Sequence, residues 1–186
     1  MEIKDLVIDL SSDPFNPEKN FNVAVEYERI NQTASAVSFY LRAAEYGYDK
    51  SPLITYTALL KLSHCFDKQK DRTATVSNCI LQAISYIPNR PEAYFLLSRF
   101  YEQSGSWQEC YSIADVGLLF VDQDLYPLPV DVGYPGEYGF DFEKAVSGWW
   151  VGRREESIKL FSGLILNPGV LEVYKASARS NLKSIL

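Results

Sequence analysis

The chain has 186 residues, of which 47% are hydrophobic, enough for a continuous core and too apolar for a disordered segment. Eighteen Lys and Arg against 24 Asp and Glu give a net charge of −6, and basic residues never run longer than two, which argues against nucleic acid or an anionic membrane as the main partner. No apolar run approaches the roughly 20 residues of a spanning helix, and the first residues lack a secretory signal pattern, so we expect a cytoplasmic protein.

The first residues of the chain predict a short leading helix. Apolar side chains recur at helical spacing at Ile3, Leu6 and Leu10, and the pattern ends before Pro14. The end of an open helical array needs an atypical unit, because one of its faces meets solvent. We therefore interpret residues 1–16 as an N-terminal cap.

From residue 17 onward the helical pattern repeats along the chain. Segment 21–43 aligns with segment 95–117 at an offset of 74, which matches Tyr27-Glu28 with Tyr101-Glu102. A second copy aligns with the third at offsets of 38 and then 34, and a fourth copy follows the third at an offset of 47. These alignments predict four units of paired helices, at 17–48, 53–88, 91–121 and 138–168.

The larger offset before the fourth unit is explained by an insertion at 122–137. This segment is rich in residues that cannot continue a helix, namely Pro127, Pro129, Gly133, Pro135 and Gly136. After the fourth unit, apolar residues at Val173, Ala176 and Leu182 lie among polar ones, which predicts a C-terminal capping helix at 170–186.

The third unit resembles a tetratricopeptide (TPR) repeat. Its segment 93–107, AYFLLSRFYEQSGSW, has the aromatic, Leu, small residue, Tyr and Gly of a TPR first helix and turn, and a period of 34 is the TPR value. The resemblance implies an all-α, TPR-like helical-hairpin solenoid in a single domain, 1–186. The fourth unit departs from the pattern, with Lys144 where an apolar residue is expected and Gly148 where an aromatic is expected.

A narrower resemblance rests on short strings such as NPE at 16–18, QTASA at 32–36, SFYLRAAE at 38–45 and NRPEAY at 89–94. These strings resemble TPR regions that accompany glycosyltransferases in bacteria and large bacteriophages. The resemblance implies an accessory role in glycan assembly, without implying that this chain holds the transferase.

Catalytic and metal-binding patterns are weak. His64 is the only histidine, so no histidine pair or triad is available. Asp122-Gln123-Asp124 has the spacing with which glycosyltransferases hold a divalent ion, but a plain loop is the preferred interpretation, because no alternating strands and helices accompany it. We expect no catalytic residue, no metal and no cofactor. The three widely spaced cysteines are expected to be reduced, buried thiols: Cys65, Cys79 and Cys110.

The TPR resemblance implies that the first helix of each unit lines a concave groove. The aligned positions then place ten residues in a binding groove: Phe21, Arg29, Lys61, His64, Phe95, Arg99, Glu102, Phe142, Trp149 and Trp150. Lys61 and Arg99 occupy matching places in adjacent units, which predicts a cationic ladder suited to acidic side chains or a carboxylate. The tryptophan pair has two interpretations, contact with a ligand or packing beneath the insertion.

These observations predict a non-catalytic interaction module that binds a protein or peptide partner through its concave groove, within a glycosylation assembly. The alternative is a carbohydrate-binding or glycosyltransferase-associated enzyme component. Its site would lie between the 122–137 loop and Trp149/Trp150.

Overall fold

The computed structural model describes residues 2–185, which form ten α-helices and no strand, so the predicted all-α class is confirmed over this range. No helix in the described part of the chain is long and apolar enough to cross a membrane. The helices are α1 (Ile3–Ser12), α2 (Pro17–Arg29), α3 (Thr33–Gly47), α4 (Pro52–Gln69), α5 (Thr73–Tyr86), α6 (Pro91–Gln103), α7 (Trp107–Leu118), α8 (Glu137–Trp150), α9 (Arg154–Leu166) and α10 (Glu172–Ile185).

The helices fall into two compact units. The first unit contains α1 to α5 together with the segment Tyr126–Val132, and the second contains Asn89–Leu125 and the chain from Gly133 onward, with α6 to α10. Within each unit, consecutive helices pack as antiparallel hairpins: α2 on α3 and α4 on α5, then α6 on α7 and α8 on α9. The division into four repeat units and the single-domain organisation stay predictions.

Local sequence explains where the hairpins begin and turn. Helices α2, α4 and α6 each start with a proline, whose fixed φ suits the first helical position and whose missing N–H is not needed there. Three of the four turns between paired helices contain one residue in the left-handed region, namely Asn31 (φ 58°), Gly105 (φ 72°) and Gly152 (φ 85°). The α4–α5 turn contains two, Lys70 (φ 58°) and Asp71 (φ 53°). Asn31, Gly105 and Gly152 are separated by the sequence offsets of 74 and 47, so the alignment also matches backbone conformation.

Small residues let the helices of the first unit approach closely. Ala24, Ala43 and Ala58 are fully buried in its core. A Cβ atom on Gly47 would lie 2.8 Å from the Thr55 Oγ1 atom, and that hydroxyl donates a hydrogen bond of 3.1 Å to a backbone carbonyl of α3. The end of α3 and the start of α4 are therefore held together by a polar contact that leaves no room for a side chain.

The second unit is built around Phe95 and Phe140, whose rings meet edge to face with centroids 5.8 Å apart. Gly117 on α7 faces this pair. A Cβ atom there would lie 2.9 Å from the Tyr94 Cβ atom and closer still to the Phe140 ring, so the glycine is needed for the close approach of α7 and α8. Burial of a phenylalanine side chain contributes about 2–3 kcal/mol.

The predicted insertion at 122–137 contains no helix up to Gly136, since α8 begins at Glu137. Its middle part, Tyr126–Val132, belongs to the first unit, where Val130 packs against the apolar core. Its last part belongs to the second unit, where the Tyr134 ring packs against Phe95 and Phe140 at centroid distances of 5.6 and 5.7 Å. The insertion is thus tied to hydrophobic cores by individual side chains.

The two departures of the fourth predicted repeat from the TPR pattern, Lys144 and Gly148, have a common cause. The Lys144 ammonium lies 2.7 Å from Asp115 Oδ1 and 5.1 Å from the centre of the Tyr111 ring, so its stem covers that ring. A Cβ atom on Gly148 would lie 3.6 Å from the same ring. Tyr111, supplied by α7, occupies the space that an aromatic residue on α8 would otherwise fill.

Candidate functional site

The ten predicted groove residues all lie on first helices of the hairpins, and they divide between the two units. The first unit holds Phe21 and Arg29 on α2 with Lys61 and His64 on α4; the second holds Phe95, Arg99 and Glu102 on α6 with Phe142, Trp149 and Trp150 on α8.

A single carboxylate organises the charged residues of the first unit. Glu28 Oε1 lies 2.9 Å from the Lys61 ammonium, 3.7 Å from His64 Nε2 and 3.9 Å from the Lys68 ammonium. The Tyr40 hydroxyl donates a 2.7 Å hydrogen bond to Glu28 Oε2. We call these five residues the Glu28 cluster. The carboxylate is 13% exposed and has partners on both of its oxygens.

This arrangement neutralises the predicted cation of the first unit. The Lys61 side chain is only 16% exposed and is already bound to Glu28, so an incoming anion would have to displace a short ion pair. Partial burial and the Lys68 and Lys61 ammonium groups lower the pKa of His64, which disfavours the charged imidazole. Burial and the hydrogen bond to Glu28 raise the pKa of Tyr40 above its usual range, so the phenol stays a donor.

The remaining predicted residues of the first unit differ in exposure. Arg29 is exposed and pairs with Glu26 on its own helix, with nitrogen–oxygen distances of 2.6 and 2.8 Å. Phe21 is 1% exposed and packs against the Tyr40 ring. In the second unit Phe95 is fully buried against Phe140. Their assignment to a ligand-contacting surface is corrected: Phe21 and Phe95 lie on the sides of α2 and α6 that face the hydrophobic cores.

The second unit contains a carboxyl group with a different environment. Glu143 on α8 is 4% exposed, and its Oε2 atom lies 3.9 Å from the Cys110 thiol of α7. No salt bridge reaches it within residues 2–185. It interacts electrostatically with Arg99 and Glu102 of α6, and with Tyr174 of α10. Arg99 and Glu102, two of the predicted groove residues, therefore lie near a buried acid.

Burial dominates the electrostatics of this region. Burial and the neighbouring Glu102 carboxylate raise the pKa of Glu143 to about 8, against a smaller opposing effect of Arg99. Burial also raises the pKa of Glu102. Arg99 is exposed and forms no salt bridge with any described residue. Two carboxyl groups therefore share the field of one guanidinium that is bonded to neither.

Tyr174, which interacts electrostatically with Glu143, packs against two other aromatic rings. The Tyr174 ring meets the rings of Phe142 and Tyr138 edge to face, with both centroid distances 5.2 Å. All three are half-buried. Arg99, Glu102, Phe142, Glu143 and Tyr174 are thus linked through contacts and electrostatic interactions on α6, α8 and α10. We call these five residues the second-unit face.

The tryptophan pair lies at the end of α8. The Trp150 ring is stacked on Trp107 with centroids 5.4 Å apart, while the Arg154 guanidinium lies 4.8 Å from the centre of the Trp149 ring. Tyr134 of the insertion contacts Phe140, near the start of α8 and about 15 Å along the helix from Trp150. Trp150 therefore packs on Trp107, a partner that the sequence alignment did not suggest.

Sequence reasoning missed Glu143 and Tyr174. A usable signal existed for Glu143. The alignment matches it with Leu96 of the third predicted repeat and Ala58 of the second predicted repeat, both non-polar. A charged residue at such a position indicates either an internal partner or a function. No comparable signal marked Tyr174, since α10 lies outside the aligned units.

The described residues contain no group of three or more His, Cys, Asp and Glu side chains that could hold a metal ion. Asp122 and Asp124 are exposed loop residues. The three cysteines are free; Cys65 and Cys110 are buried as expected, whereas Cys79 is half-buried. Burial raises the pKa of Cys65 to about 11 and that of Cys110 to about 12, so these thiols stay protonated.

Comparison with known proteins places the fold. No family model matches the chain, and no curated protein matches it in sequence. The structure is similar to that of MamA, with a TM-score of 0.65 and 16% identity over 86% of this chain and 82% of that one. It is similar to PilF of Pseudomonas aeruginosa, with a TM-score of 0.68 and 14% identity over 95% of this chain and 72% of that one.

A third similar structure is TTC0263, described as a thermophilic TPR protein in Thermus thermophilus. Its TM-score is 0.61 at 13% identity, and the match covers 97% of this chain and 88% of that one. At these identities the likeness shows the fold alone. The fold is TPR-like, and the predicted fold class of TPR-like helical hairpins is confirmed.

Proposed function

We propose that the chain is a non-catalytic interaction module that binds a protein partner through the first helices of its hairpins. The observation that supports this proposal is the second-unit face, which gathers an exposed guanidinium outside any salt bridge of the described chain, two carboxyl groups and half-buried aromatic rings from three helices. Arginine and aromatic side chains supply most of the binding energy in many protein interfaces, because they combine large contact area with hydrogen bonding.

The first unit contributes less to this proposal. Its cations are held by Glu28, and its predicted aromatic anchor Phe21 is buried. An acidic partner that bound Lys61 would have to compete with an internal carboxylate. The structure therefore favours the second-unit face over a ladder of Lys61 and Arg99 as the principal contact.

Photo-crosslinking tests this proposal. A photoreactive amino acid in place of Gln103 should crosslink to a protein partner in cells, because position 103 is exposed on α6 one turn after Arg99 and its replacement leaves the Arg99 guanidinium in place. The matched control replaces Gln108, which is also exposed but lies on α7. Crosslinking to the same protein from both positions, or from neither, would contradict the proposal.

We further propose, from the short glycosyltransferase-associated strings in the sequence, that the partner belongs to a glycan-assembly system. The strings at 32–36 and 38–45 form α3 and its N-terminus, and NRPEAY at 89–94 forms the start of α6. Affinity purification of the tagged chain from its native cells, followed by mass spectrometry, should then recover a glycosyltransferase. Recovery of other proteins only would remove this part of the proposal.

A second candidate function, carbohydrate binding, is favoured by one observation. Trp150 is 62% exposed although its ring is stacked on Trp107, which leaves a large aromatic surface in solvent. Sugar rings stack on such surfaces through their apolar faces. Titration with oligosaccharides should quench tryptophan fluorescence in the native chain and leave Trp150→Ala unaffected; no quenching by any glycan would exclude it.

A further inference from the structure

Two glutamates are buried in the second unit, and they differ in their partners. Glu92 is 8% exposed and is bound by the Arg90 guanidinium at 2.5 and 3.1 Å. Glu143 is 4% exposed, and the only hydrogen-bond partner of its carboxyl group within residues 2–185 is the weakly donating thiol of Cys110, at 3.9 Å. Burying an ionised carboxylate without a cation costs several kcal/mol, so a buried acid at this position calls for an explanation.

The surroundings of Glu143 increase this cost. Glu102 on α6 adds a second carboxyl group, while Arg99 on the same helix forms no salt bridge with either in the described part of the chain. Tyr174 on α10, Cys110 on α7 and Ser147 on α8 carry no formal charge at neutral pH. The region therefore has an excess of negative charge whenever both carboxyl groups are ionised.

The first unit shows what a carboxylate at this position binds. Glu28 and Glu102 are equivalent at the offset of 74. Glu28 is bound at 2.9 Å by Lys61, which belongs to the following predicted repeat. Glu102 belongs to the third predicted repeat, so the equivalent of Lys61 must be sought in the fourth. The offset of 38 leads from Lys61 to Arg99, and the offset of 47 leads from Arg99 to Val146. The second unit thus keeps a glutamate at the position of Glu28, which is Glu102, and contains a buried glutamate in addition, Glu143. In place of the ammonium group of Lys61 it has the apolar side chain of Val146.

We infer that Glu102 and Glu143, the acidic pair, bind a basic side chain of the protein partner, a lysine ammonium or an arginine guanidinium. The partner's cation would take the role that Lys61 has beside Glu28. Tyr174 interacts electrostatically with Glu143, and its ring, which packs edge to face on Phe142, would contact the aliphatic stem of such a side chain. This inference rests on the proposed function, because it names the chemistry that the partner must present.

The acidic pair also predicts how binding responds to pH. Near neutral pH the Glu143 carboxyl group is mostly protonated, and a cation placed beside it favours the ionised form. Binding of a basic side chain therefore releases a proton from Glu143. A cation that bound only exposed carboxylates, which are already ionised at neutral pH, would release none.

A pair of capped peptides tests the inference directly. The probe is acetyl-Ala-Ala-Lys-Ala-Ala-amide, and its control has norleucine in place of lysine. The full chain carries ¹³C-labelled glutamate carboxyl groups, so that NMR follows the ionisation of Glu143 through its pH titration. The lysine peptide should lower the titration midpoint of Glu143 by about one pH unit or more, and the norleucine peptide should leave it unchanged.

Matched variants separate binding from folding. At about pH 8.5, Glu143→Gln should weaken binding of the lysine peptide by about tenfold or more while keeping a cooperative thermal transition, because an amide avoids the cost of a buried charge. Glu109→Gln, on an exposed position of α7, should bind like the native chain. Calorimetry in two buffers of different ionisation enthalpy should report release of about half a proton or more near pH 7.5, as a midpoint lowered from about 8 by one unit or more requires.

Several results would overturn the inference. These are an unmoved Glu143 midpoint, equal affinity of Glu143→Gln and the native chain, or the same midpoint shift with Mg²⁺, Ca²⁺ or Zn²⁺ alone. If position 103 still crosslinks to a protein partner while the lysine peptide has no effect, only the acidic-pair inference fails. If crosslinking also fails, the proposed function fails with it.

Discussion

Glu28 in the first unit and Glu143 in the second are both poorly exposed carboxyl groups on first helices of hairpins, but only one of them has its charge compensated. Glu28 is bound by Lys61 and hydrogen-bonded by Tyr40, with Lys68 nearby. Glu143 contacts a thiol and lies in the field of a second acid. The same fold thus builds one region whose polar groups are satisfied internally and another that keeps a capacity for an external cation.

The largest expected effect is on stability at alkaline pH. The pKa of Glu143 is about 8 in the folded chain, above the value of 4.5 expected when unfolded. Stability from this group is therefore fully present below about pH 4.5 and is lost as pH rises towards about 8, because only the unfolded state ionises in that range. Glu143→Gln should abolish this loss.

The expected stabilisation by Glu143→Gln is about 4 kcal/mol at pH 8 and close to zero at pH 4.5. Urea denaturation at both pH values measures it. A stabilisation that does not depend on pH would show that the amide improves packing, and that Glu143 is ionised in the folded chain.

Packing at matched glycine and alanine positions tests the alignment on which the comparison of the two units depends. Ala83 and Gly117 are equivalent at an offset of 34, and both are buried. Replacing either by Leu should overpack its helix pair and cost about 1–3 kcal/mol. Gly117→Ala should also destabilise, because its Cβ atom would meet the Phe140 ring.

Thermal melting of these three variants distinguishes a correct alignment from a wrong one. The substitution Gly163→Leu serves as the control, since a Cβ atom at that position of α9 meets no neighbouring atom within 4 Å. Native-like melting of Ala83→Leu and Gly117→Leu together would show that the equivalence is wrong.

Removal of the first-unit carboxylate should have the opposite sign to removal of Glu143. Glu28→Gln leaves Lys61, whose side chain is 16% exposed, without its anion, so we expect a loss of about 1–2 kcal/mol at neutral pH. The measurement is the same urea titration. A stabilising Glu28→Gln would erase the difference between the two regions.

The smallest expected effects concern single cations. Lys61→Ala should lower stability by about 1 kcal/mol, because it removes the ion pair with Glu28, whereas Arg99→Ala should leave the melting temperature unchanged, since Arg99 is exposed and has no salt bridge in the described chain. Arg99→Ala should instead weaken partner binding. Equal melting temperatures for the two variants would place Lys61, like Arg99, among residues free for a ligand.

The fold could be predicted well because its determinants are local. Residues that break helices or permit a left-handed turn, such as Asn31, Gly105 and Gly152, recur at fixed offsets, and the structure gives all three a positive φ. The need for a small residue at Gly117 can likewise be predicted from the sequence, because a helix contact that recurs in each predicted repeat requires a side chain of the same volume there.

The candidate site could be predicted only in part. Sequence alignment assigns a residue to a helix, but an error of one position turns its side chain by about 100° around the helix axis. The alignment therefore does not fix which face a residue occupies, and Phe21 and Phe95 lie on the buried side of their helices. Ion pairing depends on side chains from different helices, so the capture of Lys61 by Glu28 followed from the three-dimensional contacts alone. Glu143 was missed although its alignment with the non-polar residues Leu96 and Ala58 was a usable signal.

The segment Tyr126–Val132 has a consequence for the order in which the chain can be completed during synthesis. Val130 packs against the core of the first unit, although roughly forty residues separate it from Pro88, the last residue of that unit's main stretch. A ribosome must therefore add α6, α7 and most of the loop before the first core gains this side chain. Until then a nascent first unit leaves apolar surface open to chaperones, and a fragment ending at Pro88 would keep that surface exposed permanently.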